Sequence, residues 1–304
     1  MKDKIIKYGQ NHRFTSITTF SVPFSLTDIN NKIIFTDNSK DNLIRQAFRF
    51  HLSGNISKAS ICYEYFLSQG YSDPRVFVNY GAICNQNNKR ERAIRLYKDS
   101  IKEFPDNPDA YSNLAAILID LGDLNEAERY AIQAIKINPE YSTGYCNLAN
   151  ICKMLGKLKD AENYARIAIN LNPEFVQANS NLATILIELD KLKEAEKYAR
   201  KAIYINPNYA IAHSNLANIL RDTGRLVEAE TAIRKAITID PNYANAFVNL
   251  STILICLDKL EEAMNASLKA IEINPKIGQA YYNLAIVYIN LGKLKESENL
   301  LYKA

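Results

Sequence analysis

Tryptophan is absent from the 304 residues, and histidine and methionine occur three times each. The histidines, His12, His51 and His213, lie far apart, with no His-x-x-Glu-His, no Gly-x-Ser-x-Gly and no phosphate-cradling glycine loop. No catalytic constellation, no metal site and no cofactor is therefore expected. The five cysteines, Cys62, Cys84, Cys146, Cys152 and Cys256, are odd in number and contain no Cys-x-x-Cys pair. That pattern suggests neither a zinc site nor a disulfide framework and reads as small apolar packing residues. No run approaches the roughly 18 apolar residues of a membrane helix, and no signal-peptide core follows residues 1–10. The expected location is cytoplasmic, with no membrane partner. A net charge of +4 is too small and dispersed to argue for nucleic acid. The densest basic stretch, residues 89–102, is interleaved with Glu91 and Asp99 and reads as a solvated helix face. A content of 47% hydrophobic and 23% charged residues is that of a folded chain.

What is present is a repeat. Asn-Leu recurs at a constant step, at Asn113, Asn147, Asn181, Asn215, Asn249 and Asn283. Proline keeps the same step at Pro105, Pro139, Pro173, Pro207, Pro241 and Pro275. Alanine keeps it at 59, 93, 127, 161, 195, 229 and 263, with Ser297 in the next slot. Three series in one register define the unit.

Within residues 108–141, Tyr111, Leu114, Ala115 and Leu118 fall at i, i+3, i+4 and i+7, one face of a helix. Gly122-Asp123 stops it. Leu124, Ala127, Ala131, Ala134 and Ile135 make a second apolar face, ended by Asn138-Pro139. The unit is an antiparallel helix pair. The stop between the two helices holds Gly54, Asn88, Gly122, Gly156, Asp190, Gly224, Asp258 and Gly292. These are the residue types that enter left-handed backbone most cheaply. Small residues occupy a first-helix slot at Ala47, Gly81, Ala115, Ala149, Ala183, Ala217, Ser251 and Ala285, where two helices must approach closely.

The pattern resembles the tetratricopeptide repeat. Its first-helix aromatic is matched by Phe77, Tyr111, Tyr145, Phe247 and Tyr281, and replaced at Leu43, Asn179 and His213. Its second-helix aromatic is kept in Tyr63 and Tyr97. It gives way to Ala131, Ala165 and Ala199, with Tyr130, Tyr164 and Tyr198 one position earlier. His213 reads as a packing residue. The resemblance implies an all-α, right-handed superhelical solenoid of helical hairpins. Seven full units are expected at 40–73, 74–107, 108–141, 142–175, 176–209, 210–243 and 244–277, and an incomplete eighth from 278. Residues 1–39, polar and with Pro23, are expected to form an extended or partly disordered arm. The apolar end at Leu300, Leu301 and Tyr302 is expected to fray or to pair end to end with a second chain.

The same resemblance implies protein binding rather than catalysis, on a concave face lined by the first helices. One slot there is asparagine seven times over: Asn79, Asn113, Asn147, Asn181, Asn215, Asn249 and Asn283. This series is similar to the asparagine ladder of the protein O-linked N-acetylglucosamine transferases, whose amides hold an extended peptide by its backbone. An amide is both donor and acceptor, so it can pair with a peptide unit without reading sequence. On that reading the side chains face water in the free protein. Asparagine is also common at this slot in tetratricopeptide repeats generally, where it need not touch a ligand. The neighbouring groove slots include Asn150, Thr184, Asn218 and Thr252. No lysine stands where a chaperone-tail clamp would need one. The expected ligand is thus an extended, weakly charged polypeptide segment. The alternative is the substrate-recruiting part of a glycosyltransferase or sulfotransferase whose catalytic domain lies elsewhere.

Overall fold

A computed structural model describes residues 39–302 and residue 304. The arm expected at 1–39 lies almost wholly outside the described residues. Among these there are sixteen α-helices and no strand. The first helices of the hairpins are α1 (Lys40–Leu52), α3 (Pro74–Gln86), α5 (Pro108–Leu121), α7 (Ser142–Met154), α9 (Val176–Glu188), α11 (Ala210–Asp222), α13 (Ala244–Cys256) and α15 (Gly278–Asn290). The second helices are α2 (Ile56–Ser68), α4 (Arg90–Glu103), α6 (Leu124–Ile137), α8 (Leu158–Leu171), α10 (Leu192–Ile205), α12 (Leu226–Ile239), α14 (Leu260–Ile273) and α16 (Leu294–Leu301).

The first helices begin at one constant step along the chain, and the second helices follow in the same rhythm. Two of the first helices carry local caps at their starts. The Asp73 carboxylate accepts from the Arg75 backbone N–H at 2.9 Å, and the Asn107 side chain accepts from that of Asp109 at 3.2 Å. A proline follows each cap at the first helical position, where its missing N–H costs nothing. The stops are equally local. All eight residues of the stop slot have positive φ, from 58° at Asp190 and Asp258 to 83° at Gly122.

The chain divides into two compact units, one running to Lys157 and the other from Leu158 to Ala304. In the first, successive helices α1 to α7 pack on one another, and α5 also touches α3 and α7. In the second, α8 to α16 do the same, with α9, α11, α13 and α15 in contact side by side.

Small residues make the hairpins close. Gly81 on α3 faces Tyr97 on α4, a ring that is fully buried. A methyl added at Gly81 would run into that ring. In the next hairpin the corresponding positions are Ala115 and Ala131, both fully buried. In the seventh hairpin they are Ser251 and Ser267, whose hydroxyls share a 2.7 Å hydrogen bond. One slot pair is thus filled three ways: glycine with tyrosine, alanine with alanine, and two hydrogen-bonded serines.

Candidate functional site

The asparagine series lies on the first helices, but it does not face water. Asn79, Asn113, Asn147, Asn181, Asn215 and Asn283 are buried, and Asn249 is half-buried. Four of these amides reach back to the preceding first helix. Asn147 Nδ2 donates to the Ser112 carbonyl at 3.1 Å and to its hydroxyl at 2.9 Å. Asn215 Nδ2 donates to the Ser180 carbonyl at 3.1 Å and to Thr184 Oγ1 at 3.0 Å. Asn249 donates to Ser214 Oγ at 3.0 Å, and Asn283 to the Val248 carbonyl at 3.1 Å and Thr252 Oγ1 at 3.0 Å. The expectation of solvated amides is therefore corrected. The side chain leaves α7, α11, α13 or α15 at a point where the neighbouring helix offers an acceptor, and burial of an amide demands such a partner.

The adjacent slot behaves differently. Thr184 and Thr252 are half-buried and spend their hydroxyl protons on the Ser180 and Val248 carbonyls of their own helices. Asn150 is only 3% exposed, yet its Nδ2 has no hydrogen-bond partner. Asn218, half-buried in the second unit, has an enclosed Oδ1 that likewise accepts from no protein donor. Both positions appear in the sequence as groove neighbours. Their unsatisfied atoms do not, because satisfaction depends on which side chain the adjoining repeat presents.

His213 does pack. Its Nε2 lies 2.9 Å from the Pro207 carbonyl, on the turn before its helix. The same slot makes the same tie through Asn179 Nδ2 to Pro173 at 3.3 Å and the Tyr281 hydroxyl to Pro275 at 3.1 Å. Three unlike side chains therefore pin the helix start to its proline turn. His51 is buried against Tyr63, with Nδ1 2.8 Å from the phenol oxygen, and burial pushes its imidazole down to about 4.

The second helices of the second unit carry a charge ladder. The pairs Glu162–Arg166, Glu196–Arg200 and Glu230–Arg234 close at 2.7, 2.6 and 2.8 Å, as their i, i+4 spacing predicts. Links to the next hairpin lie beyond that local spacing. Arg166 reaches Glu194, Lys191 reaches Glu162, Arg225 reaches Glu196, Arg234 reaches Glu262 and Lys259 reaches Glu230. The signal that could have found them is the recurrence of a carboxylate and a cation at matching places in consecutive hairpins. Hydrogen bonding from Lys191 and Lys259 holds the Glu162 and Glu230 carboxyls below the usual range.

Among the described residues no group of three His, Cys, Asp or Glu side chains could hold a metal, and no helix is long and apolar enough to cross a membrane. Cys62, Cys84, Cys146 and Cys152 are buried and Cys256 is exposed.

The model of the cilia and flagella-associated protein 70 C-terminal domain, a tetratricopeptide-repeat model, matches residues 54–282, and a tetratricopeptide-repeat model matches residues 266–299. The chain belongs to the tetratricopeptide-repeat family. No curated protein matches it. Among solved structures it is similar to the anaphase-promoting-complex hetero-tetramer Cut9–Hcn1, at 14% identity and a TM-score of 0.72, over 87% of this chain and 52% of that one. The chain thus spans about half the length of that relative. A tetratricopeptide repeat protein from Parabacteroides merdae aligns at 19% identity and a TM-score of 0.63, over 82% of this chain and 98% of that one. The Thermus thermophilus tetratricopeptide protein TTC0263 aligns at 22% identity and a TM-score of 0.54, over 60% and 100%. At these identities the likeness establishes the fold. This tetratricopeptide-repeat chain is all-α, built of the hairpin units that serve other proteins as interaction scaffolds.

Proposed function

We propose that the chain is a non-catalytic scaffold that binds an extended, weakly charged polypeptide segment along its first-helix face. The observation that supports this reading is the unpartnered amide oxygen of Asn218, flanked at the same slot by Thr184 and Thr252. An enclosed acceptor without a donor costs about 1–3 kcal/mol. A peptide N–H laid across α11 would satisfy it once the half-buried side chain turns toward the segment. In the second unit Asn215, Asn249 and Asn283 serve this face by tying each first helix to the one before it. Binding then reads backbone more than side chains, because the hooks are uncharged amides and hydroxyls.

The test is selection of a binder from a random peptide library on the full chain, followed by Asn218→Ala. The variant should weaken binding about tenfold, the loss expected of a buried hydrogen bond, with an unchanged melting midpoint. N-methylation of one peptide bond in the binder should match that loss. A binder indifferent to both changes would remove the first-helix face from the argument.

A further inference from the structure

A cleft of about 500 Å³ opens among α10, α11 and α12 of the second unit. Its lining is mostly apolar, with Ile203, Tyr204, Leu216, Leu220 and Ala232 beside His213. Its origin is a substitution pattern. The aromatic slot of the first helix and one slot of the second face each other across the hairpin. In the third hairpin they hold Tyr111 and Tyr130, whose ring centroids are 6.2 Å apart. In the fifth they hold Asn179 and Tyr198, and in the seventh Phe247 and Ala266, so one six-membered ring remains. The sixth has His213 and Ala232, with neither. The imidazole is tied to the Pro207 carbonyl, and Ala232 ends at its methyl. The cleft stands where Tyr130, Tyr164 and Tyr198 stand in the third, fourth and fifth hairpins.

The rim is equally distinctive. Tyr204 on the lining is 86% exposed, and Val227, one turn before the lining residue Thr231, is 72% exposed. Val227 shares a helical row with Thr231 and Lys235, since the Thr231 hydroxyl donates to the Val227 carbonyl one turn back. Two charged groups at the rim are already compensated: Arg200 by Glu196, and Glu228 by Arg225. Lys235 has no ion pair among the described residues.

We propose that this cleft receives the phenol or phenyl ring of a partner polypeptide, and that a carboxylate beside that ring pairs with Lys235. The volume lies in the range of small-ligand sites, and an aromatic anchor in an apolar pocket with a charged rim is the usual form of a binding hot spot. The ring replaces in trans what Tyr130, Tyr164 and Tyr198 supply in cis. The inference does not rest on the first-helix reading: the cleft uses Leu216 and Leu220 of α11 together with Ala232 and Lys235 of α12, and not Asn218.

Three blocked dipeptides test it on the full chain: N-acetyl-Tyr-Glu-amide, N-acetyl-Tyr-Gln-amide and N-acetyl-Ala-Glu-amide, followed by the methyl resonances of Leu216 and Leu220. The first should give saturable shifts with weak, about millimolar, affinity. The second should bind roughly two- to fivefold less well, as expected for one exposed ion pair, and the third not at all. Ala232→Tyr, which refills the slot, should abolish the shifts while the chain stays folded. Lys235→Gln should erase the preference for Glu over Gln. Shifts that persist in Ala232→Tyr, or equal binding of the alanine peptide, would overturn the proposal. Concentration-dependent self-association abolished by Ala232→Tyr would overturn it in favour of a second copy.

Discussion

Asn215 Nδ2 donates to the Ser180 carbonyl at 3.1 Å, from one repeat to the one before it. The same amide meets the Ser180 and Thr184 hydroxyls, so the two protons of one side chain on α11 are shared among three acceptors on α9. First helices of adjoining hairpins are therefore stapled as well as packed. Asn215→Ala should lower unfolding stability by about 1–3 kcal/mol, because buried acceptors lose their donor. Chemical denaturation reads this directly. No loss of stability would show that water replaces the amide at no cost.

Gly81 and Tyr97 should behave as one unit. Gly81→Ala forces a methyl into a buried ring and should cost about 1–3 kcal/mol by overpacking. In a chain already carrying Tyr97→Leu the same substitution should cost much less. A double-mutant cycle by urea unfolding measures the coupling, and additive effects would contradict the close approach.

The buried His51 makes stability depend on pH. Its imidazole, normally near 6.5, is pushed down to about 4. Above 6.5 it is neutral in the folded and unfolded chain, and stability is complete. As pH falls below 6.5 the unfolded chain takes up a proton that the folded chain refuses. Stability then declines until about pH 4, by roughly 3 kcal/mol at most. His51→Gln, whose amide can still hydrogen-bond Tyr63, should remove this part of the pH slope. An imidazole titration by NMR that falls near 6.5 would refute the assignment.

The last hairpin should open most readily. In α16 the one buried side chain is Ser297, whereas α10 buries Ala195, Ala199 and Ala202. Leu294, Leu301 and Tyr302 are exposed. Amide exchange should be faster at 294–301 than at 192–205 in dilute solution, since little burial offsets the entropy of ordering the helix. Protection that rises with protein concentration would reveal pairing of this surface. Equal protection in a demonstrated monomer would contradict the expectation.

Much of the fold is legible before any coordinates. The constant repeat step and the eight left-handed stops are local properties of the backbone, so each hairpin states them for itself. The pairing of small with large side chains is half legible: Gly81 reads as a place of close approach, but the sequence does not say that Tyr97 fills it. The destination of the asparagine amides is not legible. Whether an amide faces water or the Ser180 carbonyl depends on the distance between helices of two different repeats, which no single repeat encodes. The open acceptor on Asn218 and the cleft over Ala232 have the same cause. Each is a partner that the adjoining helix fails to supply, and only tertiary packing decides which atoms go without.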